Sequence, residues 1–244
     1  MPLGLPIPEK IKKKYRHNES LVRVFAKFYR PYLKLYARIW TWWNYNRNFD
    51  AKIDPFRFLW IDPEDIEYRI ESDSANFNED FWRPRIKGGD WDKDTEVFDA
   101  RDFFKAFEMH FEEGVEWEDT PLGDRNWPQR RFDTIDSIYE SIDEEGYELQ
   151  TDLRRPVNTK DIYALNKYMW EFNEIIVSIG RDGEILHEDG NHRLAIAKIL
   201  NLDEIPVRVL VRHEKWQEKR EKAVKNPEQL DQKHRFHPDI EYLI

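Results

Sequence analysis

Residues 175–211 read IIVSIGRDGEILHEDGNHRLAIAKILNLDEIPVRVLV, and this stretch decides the fold. Ile175-Ile176-Val177-Ser178-Ile179 is a short run rich in β-branched residues, as a buried strand requires. Arg181-Asp182-Gly183-Glu184 has the composition of a hairpin turn, and Ile185-Leu186-His187 reads as the returning strand. Asp189-Gly190 interrupts the apolar run. From His192 to Leu200 the pattern is helical, and Ile205 to Val211 is a third strand.

Outward from this stretch the signals are less regular. Residues 56–61 read as a strand closed by Asp62-Pro63, and residues 64–68 as a short turn or helix. A polar, irregular stretch runs from there to Gly88-Gly89-Asp90-Trp91-Asp92. Residues 99–113 carry Phe103, Phe104, Phe107 and Phe111 at helical spacing and stop at Gly114. Residues 132–145 repeat the pattern through Ile135, Ile138, Tyr139 and Ile142 and stop at Gly146. Helix signals continue over 159–169, and a charged helix over about 213–225 precedes a polar tail.

The segment with most chemical content is Asp189-Gly190-Asn191-His192-Arg193, placed between a strand and a helix. Gly190 permits a sharp turn, with positive φ if needed. A helix that starts here exposes unpaired amide hydrogens and the positive end of its dipole, which together favour a phosphate. His192 and Arg193 add donors, and an arginine grips two phosphate oxygens at once. Asp189 can hold a metal ion or a hydroxyl, or simply cap the helix; Asp-Gly turns before helices are common. His187, one strand step away, either faces this site or the core.

A second cluster is Lys87-Gly88-Gly89-Asp90-Trp91-Asp92. On a strand, Asp90 and Asp92 point the same way, and the pair suits Mg²⁺ binding or acceptance of a substrate hydroxyl's proton. The competing reading is a solvated turn anchored by Trp91. Residues 113–120 read as a helix end followed by an acidic loop packed through Trp117, and His110 as a packing residue. No zinc spacing, Walker P-loop or Gly-x-Ser-x-Gly elbow occurs. With no cysteine in 244 residues, disulfides, thiolate metal sites and cysteine nucleophiles are excluded.

Residues 174–212 resemble the core of the ParB/sulfiredoxin-like fold. The likeness rests on Ile176-Val177, Asp182-Gly183, Asp189-Gly190-Asn191-His192-Arg193, then Ala195 and Ala197 in the helix. Leu202 and Ile205-Pro206-Val207-Arg208-Val209 continue it. Residues 58–66 are similar to the family's opening strand and turn. The resemblance implies an α/β (α+β) fold with a small mixed sheet over about 54–213, enlarged by a helical insertion over about 93–170. It also implies a nucleotide, ATP or alternatively CTP or ADP, held by Gly190, Asn191, His192 and Arg193 with His187 nearby. Activities in the family range over DNA clamps, sulfinic acid repair and small-molecule kinases. Asn191 stands where repair enzymes need a cysteine, so that chemistry is excluded.

The expected function is therefore a nucleotide- and Mg²⁺-dependent phosphotransferase, a kinase. Asp90, Asp92 or Asp189 would act as base, and Asp90 with Asp92 would hold the metal. The acceptor would be a hydroxyl on a small polar, lipid-linked or glycan-linked compound. A ParB-like nucleotide-gated DNA- or partner-binding protein, or a ParB-like nuclease, is the alternative. An Arg193 turned onto a carboxylate with no room beside it would remove the enzymatic reading.

Charge is unevenly spread. Residues 1–49 hold 11 Lys/Arg against two acids, a net of +9, and the remainder holds 28 against 47, a net of −19. An acidic body repels nucleic acid over most of its surface, so nucleic acid is the less favoured partner. From about Ser20, the apolar Val24, Phe25, Phe28, Tyr32, Leu35, Tyr36, Ile39, Trp40 and Trp43 recur at helical spacing. Arg23, Lys27, Arg30, Lys34 and Arg38 form a basic stripe, and Pro31 predicts a kink. Such an arm, with 44–55 as linker, either packs on the acidic body, lies on an anionic membrane through residues 20–45, or binds nucleic acid. No signal peptide or 18-residue apolar run is apparent, so a cytoplasmic protein, peripheral at the inner membrane surface if the arm binds lipid, is expected.

Overall fold

Strands β5 (Ile175–Ile179), β6 (Ile185–Asp189) and β7 (Ile205–His213), with helix α3 (Asn191–Ile199) between the last two, stand where their periodicity places them. The computed structural model describes residues 31–32, 34–71, 83–125, 127–149 and 174–244. Most of the arm before residue 31 and the helix expected over 159–169 fall outside these residues.

The architecture is mixed α and β, built on one seven-stranded open sheet of order β1-β7-β5-β6-β2-β4. β1 is Phe58–Ile61, β2 Tyr68–Ile70 and β4 Thr95–Val97. β3 (Arg85–Lys87) pairs with the far end of β7, in line with β1. β5 and β6 form an antiparallel hairpin, while β7 lies parallel to β5 after the α3 crossover. All five residues of β5 and all nine of β7 are buried. Central strands covered on both faces must be apolar throughout, which explains the unbroken Ile/Val runs.

Helices α1 (Asp102–Phe111), α2 (Gln129–Glu145) and α3 pack together on one face. Ile175, Val177 and Ile179 point into this layer, where they join Phe103, Phe104, Phe107, Trp117, Phe132 and Ile135 in the main core. Ile176 points the other way, to Leu210, Val211 and Trp91. Residues 113–120 follow the packing reading: Trp117 is buried, donates its indole N–H to Asp136 at 2.9 Å, and stacks on His110 at 4.0 Å.

After β7 the chain forms α4 (Glu214–Lys225), α5 (Gln232–Arg235) and α6 (Pro238–Glu241). The tail is therefore ordered. Buried Asp239 pairs with Arg212 and Arg220 and accepts the Trp216 indole N–H at 3.0 Å. Burial alone would push this carboxyl up, but the two guanidiniums hold it down at about 2. Residues 44–55 are also fixed. Asn46 exchanges two 2.8 Å bonds with the Ile53 backbone, and the Glu221 carboxylate accepts the amides of Asp50 and Ala51.

Candidate functional site

Because β5 and β6 run antiparallel with Ile176 opposite Asp189, the residue before β5 and those after β6 meet at one end of the sheet. There Glu174 and the Asp189–Arg193 segment line a cavity of about 490 Å³, together with Arg101 and Phe103 at the start of α1. Arg125, Trp127, Arg131 and Ile138, from the α2 approach and α2 itself, complete the lining.

Gly190 is the pivot. Its φ is +95°, and a Cβ there would sit 2.9 Å from the Ile175 Cα, so both backbone twist and close strand approach require glycine. It is the N-cap of α3 and has no side chain with which to cap this end, and among the described residues none other does so. Asp189 instead turns back to accept the Gly190 amide at 2.8 Å, so the capping reading of Asp189 fails. The uncapped amides at the start of α3 and the dipole behind them face a cavity whose rim is cationic.

Four arginines surround that space. Arg101 bonds Glu96 at 3.0 Å and donates to the Asn191 carboxamide oxygen at 3.3 Å. Burial lowers its pKa, and the nearby Arg69 and Arg125 charges add to the effect. Arg193 donates to Glu174 at 3.2 Å, and Glu174 also accepts the Tyr147 hydroxyl at 3.1 Å. Burial drives the Tyr147 pKa upward, so the phenol keeps its proton. Arg131 lies over the Trp127 ring at 3.6 Å. Among the described residues neither Arg125 nor Arg131 has an ion pair, so the rim carries uncommitted positive charge.

His192 lines the cavity as an uncharged ring. Its ring is stacked on Phe103 and Phe107 at 5.5 and 6.0 Å. Burial, helped by Arg131 and Arg193, lowers its pKa to about 4, so it is neutral at pH 7. It contributes a flat aromatic wall. Arg193 does turn onto a buried carboxylate, yet the cavity opens beside it.

His187 is corrected outright: it is fully buried, packs 4.9 Å from Phe98 and does not line the cavity. Burial lowers its pKa to about 3, against a backbone contact with Asp189 that favours the charge. Asp90 and Asp92 are corrected as well. They lie in a turn after β3, and both grip Arg181, at 2.7 and 2.6 Å. Burial would raise Asp92, but hydrogen bonds from Arg181 hold it at about 2. Arg181 occupies the hairpin end of β5–β6, a five-residue strand away from Gly190, or on the order of 15 Å. These carboxylates fasten the sheet's far end and cannot serve an anion held at α3.

Among the described residues no group of three or more His, Asp or Glu side chains is placed to hold a metal ion. On the cavity, Glu174 is committed to Arg193 and Tyr147, which leaves Asp189 as the exposed carboxylate. The lining residues Arg101, Arg125, Trp127 and Arg131 are not apparent from the helix pattern. One signal does mark three of them: Arg125-Asn126-Trp127-Pro128-Gln129-Arg130-Arg131 is a basic, aromatic run inside an acidic body, while Arg101 stands alone in the sequence. The sequence matches no family model and no curated protein, and the fold matches no solved structure.

Proposed function

We propose that the chain is a nucleotide-binding protein that seats its ligand's phosphates at the start of α3. One observation carries this: the uncapped helix end at Gly190 opens into a cavity ringed by Arg101, Arg125, Arg131 and Arg193. Backbone amides and a helix dipole favour an anion. Arginines on several sides match the several oxygens of a di- or triphosphate. Phe103, Trp127 and the neutral His192 ring offer flat apolar surfaces on which a base stacks. The ParB/sulfiredoxin-like resemblance of residues 174–212 points to the same ligand.

The reaction that fits this site is phosphoryl transfer to a hydroxyl acceptor. The acceptor oxygen attacks the terminal phosphorus, the bond to the bridging oxygen breaks, and the nucleoside diphosphate leaves. The acceptor's proton passes to Asp189, the exposed carboxylate at the cavity. The arginines would stabilise charge on the equatorial oxygens. Among the described residues the donor set does not fit a Mg²⁺ ion held by protein ligands alone; of their exposed carboxylates on the cavity, an ion arriving with the phosphates would meet Asp189.

That same point favours a second reading. A single exposed carboxylate serves as base or as metal ligand and not as both, which suits a site that binds nucleotide to switch a partner interaction. A thermal-shift panel of ATP, ADP, CTP and GTP, with and without Mg²⁺, tests binding, because any ligand preferring the native state raises its melting point. A product screen then separates the readings. A phosphorylated acceptor supports transfer, and nucleotide-dependent retention of a partner without turnover supports the switch. No shift with any nucleotide rejects both.

A further inference from the structure

Part of the arm's apolar face is exposed. Over residues 34–41 the chain is helical and continues into a π-helical turn, Trp42–Asn46. The small residues Ala37 and Thr41, one turn apart, are fully buried. Tyr32, Leu35, Ile39, Trp42 and Trp43 follow at helical steps on the opposite side, each 44–58% exposed. Other exposed large apolar residues, such as Trp60, Val97 and Phe236, are scattered over the fold. Tyr36, Trp40 and Tyr45 are half-buried, so the arm lays part of its aromatic set down and leaves the row through Tyr32, Leu35, Ile39, Trp42 and Trp43 outward.

The charges beside this face are all of one sign. From Ser20 to Phe49 the sequence has no acidic residue, and Arg38 and Arg47 are exposed next to the aromatic row. Arg47 lies 4.6 Å over the Trp43 ring, while Lys34 and Arg38 reach the Phe56 ring at 5.6 and 5.5 Å. The orientation is fixed by the Asn46–Ile53 pair and by Glu221, which ties residues 50–51 to α4. None of the described helices is long and apolar enough to cross a membrane.

We infer that this face is a docking surface for an anionic lipid bilayer, lying in its interface with Leu35 and Ile39 among the acyl chains. Trp42, Trp43 and Tyr32 suit headgroup depth, where an aromatic ring has one apolar and one wet side. Arg38, Arg47 and the net +9 of residues 1–49 complement lipid phosphates. Lipid is favoured over nucleic acid because the row includes aliphatic side chains, which do not stack on bases, and lies on a convex helix rather than in a groove.

The test is flotation of the full chain with vesicles of phosphatidylcholine alone or mixed equally with phosphatidylglycerol. The chain should float with the mixed vesicles and not the neutral ones, and high salt should weaken binding. Trp42→Ser/Trp43→Ser should weaken it roughly tenfold or more, because the interfacial anchor is lost. Trp60→Ser, which removes an exposed Trp outside the arm, should float like wild type. The arm variants should keep the wild-type response to nucleotide, so failure here is distinct from failure of the nucleotide reading. The inference is overturned by equal flotation with neutral vesicles or by an arm variant that floats like wild type. It is also overturned by equal loss in Trp60→Ser, or by single-stranded DNA that binds the chain through Trp42 and Trp43 while vesicles do not.

Discussion

Glu188 and His187 are successive residues on β6, so they face opposite sides of the sheet, and burial shifts both towards the neutral form. Glu188 accepts the Ser178 hydroxyl at 2.5 Å, and burial raises its pKa from 4.5 to about 7. Between those values the native state keeps a proton that the unfolded chain has released, so this contribution to stability falls as pH rises. His187 acts oppositely: its contribution is present above pH 6.5 and is lost as pH falls towards 3. Glu188→Gln keeps the hydrogen bond and removes the charge. Urea unfolding should show the variant gaining on wild type from pH 4.5 to 7, up to about 3 kcal/mol. A pH-independent difference would contradict the assignment. Arg193 carries a further expectation. Removing it takes the guanidinium from Glu174, whose side chain is fully buried and keeps the Tyr147 hydroxyl as donor, so Arg193→Ala should cost roughly 3 kcal/mol in stability as well as ligand affinity. Unfolding as stable as wild type would show that Glu174 does not need its arginine. None of these pairings is legible in sequence, because 19 positions separate Glu174 from Arg193 and 10 separate Ser178 from Glu188.

At the scale of elements, β5, the turn, β6, α3 and β7 are readable in sequence because each carries its own periodicity and each boundary has a turn residue. Gly183 and Gly190 both adopt positive φ, as Asp-Gly turns allow. The three-residue strands β2, β3 and β4 are not readable. Three residues give no alternation to detect, and these strands exist because β6, β7 and each other offer an edge to pair with. Of the two readings of Asp90 and Asp92, the turn is the one the fold adopts, for a related reason. Arg181, far away in sequence, collects both carboxylates into a turn. The junction into α3 makes the element-scale prediction. Gly190→Ala must adopt φ near +95° and push on the Ile175 Cα at 2.9 Å. It should lose about 1–3 kcal/mol of stability and weaken anion binding, as read by thermal melting with and without pyrophosphate. Retained stability and affinity would mean the backbone bend is not required.

At the scale of the whole molecule, charge is sorted into regions. An acidic body of net −19 carries a cationic cavity at one end of its sheet and a basic, aromatic arm outside it. The arm's charge is legible by counting residues. The cavity's is not, because Arg101, Arg125, Arg131 and Arg193 come from separate parts of the chain and are gathered by the packing of α1, α2 and α3. Such a local positive field on a negative protein attracts small anions to one place. Arg125 and Arg131 are exposed and have no ion pair among the described residues, so their removal leaves the core intact. Calorimetric titration of ATP and of pyrophosphate into the full chain and into Arg125→Ala/Arg131→Ala decides whether this cavity is an anion site. Wild type should bind both, and the variant, melting within a few degrees of wild type, should bind each at least about tenfold more weakly. Absence of binding by wild type, or equal affinity in the variant, would contradict that reading.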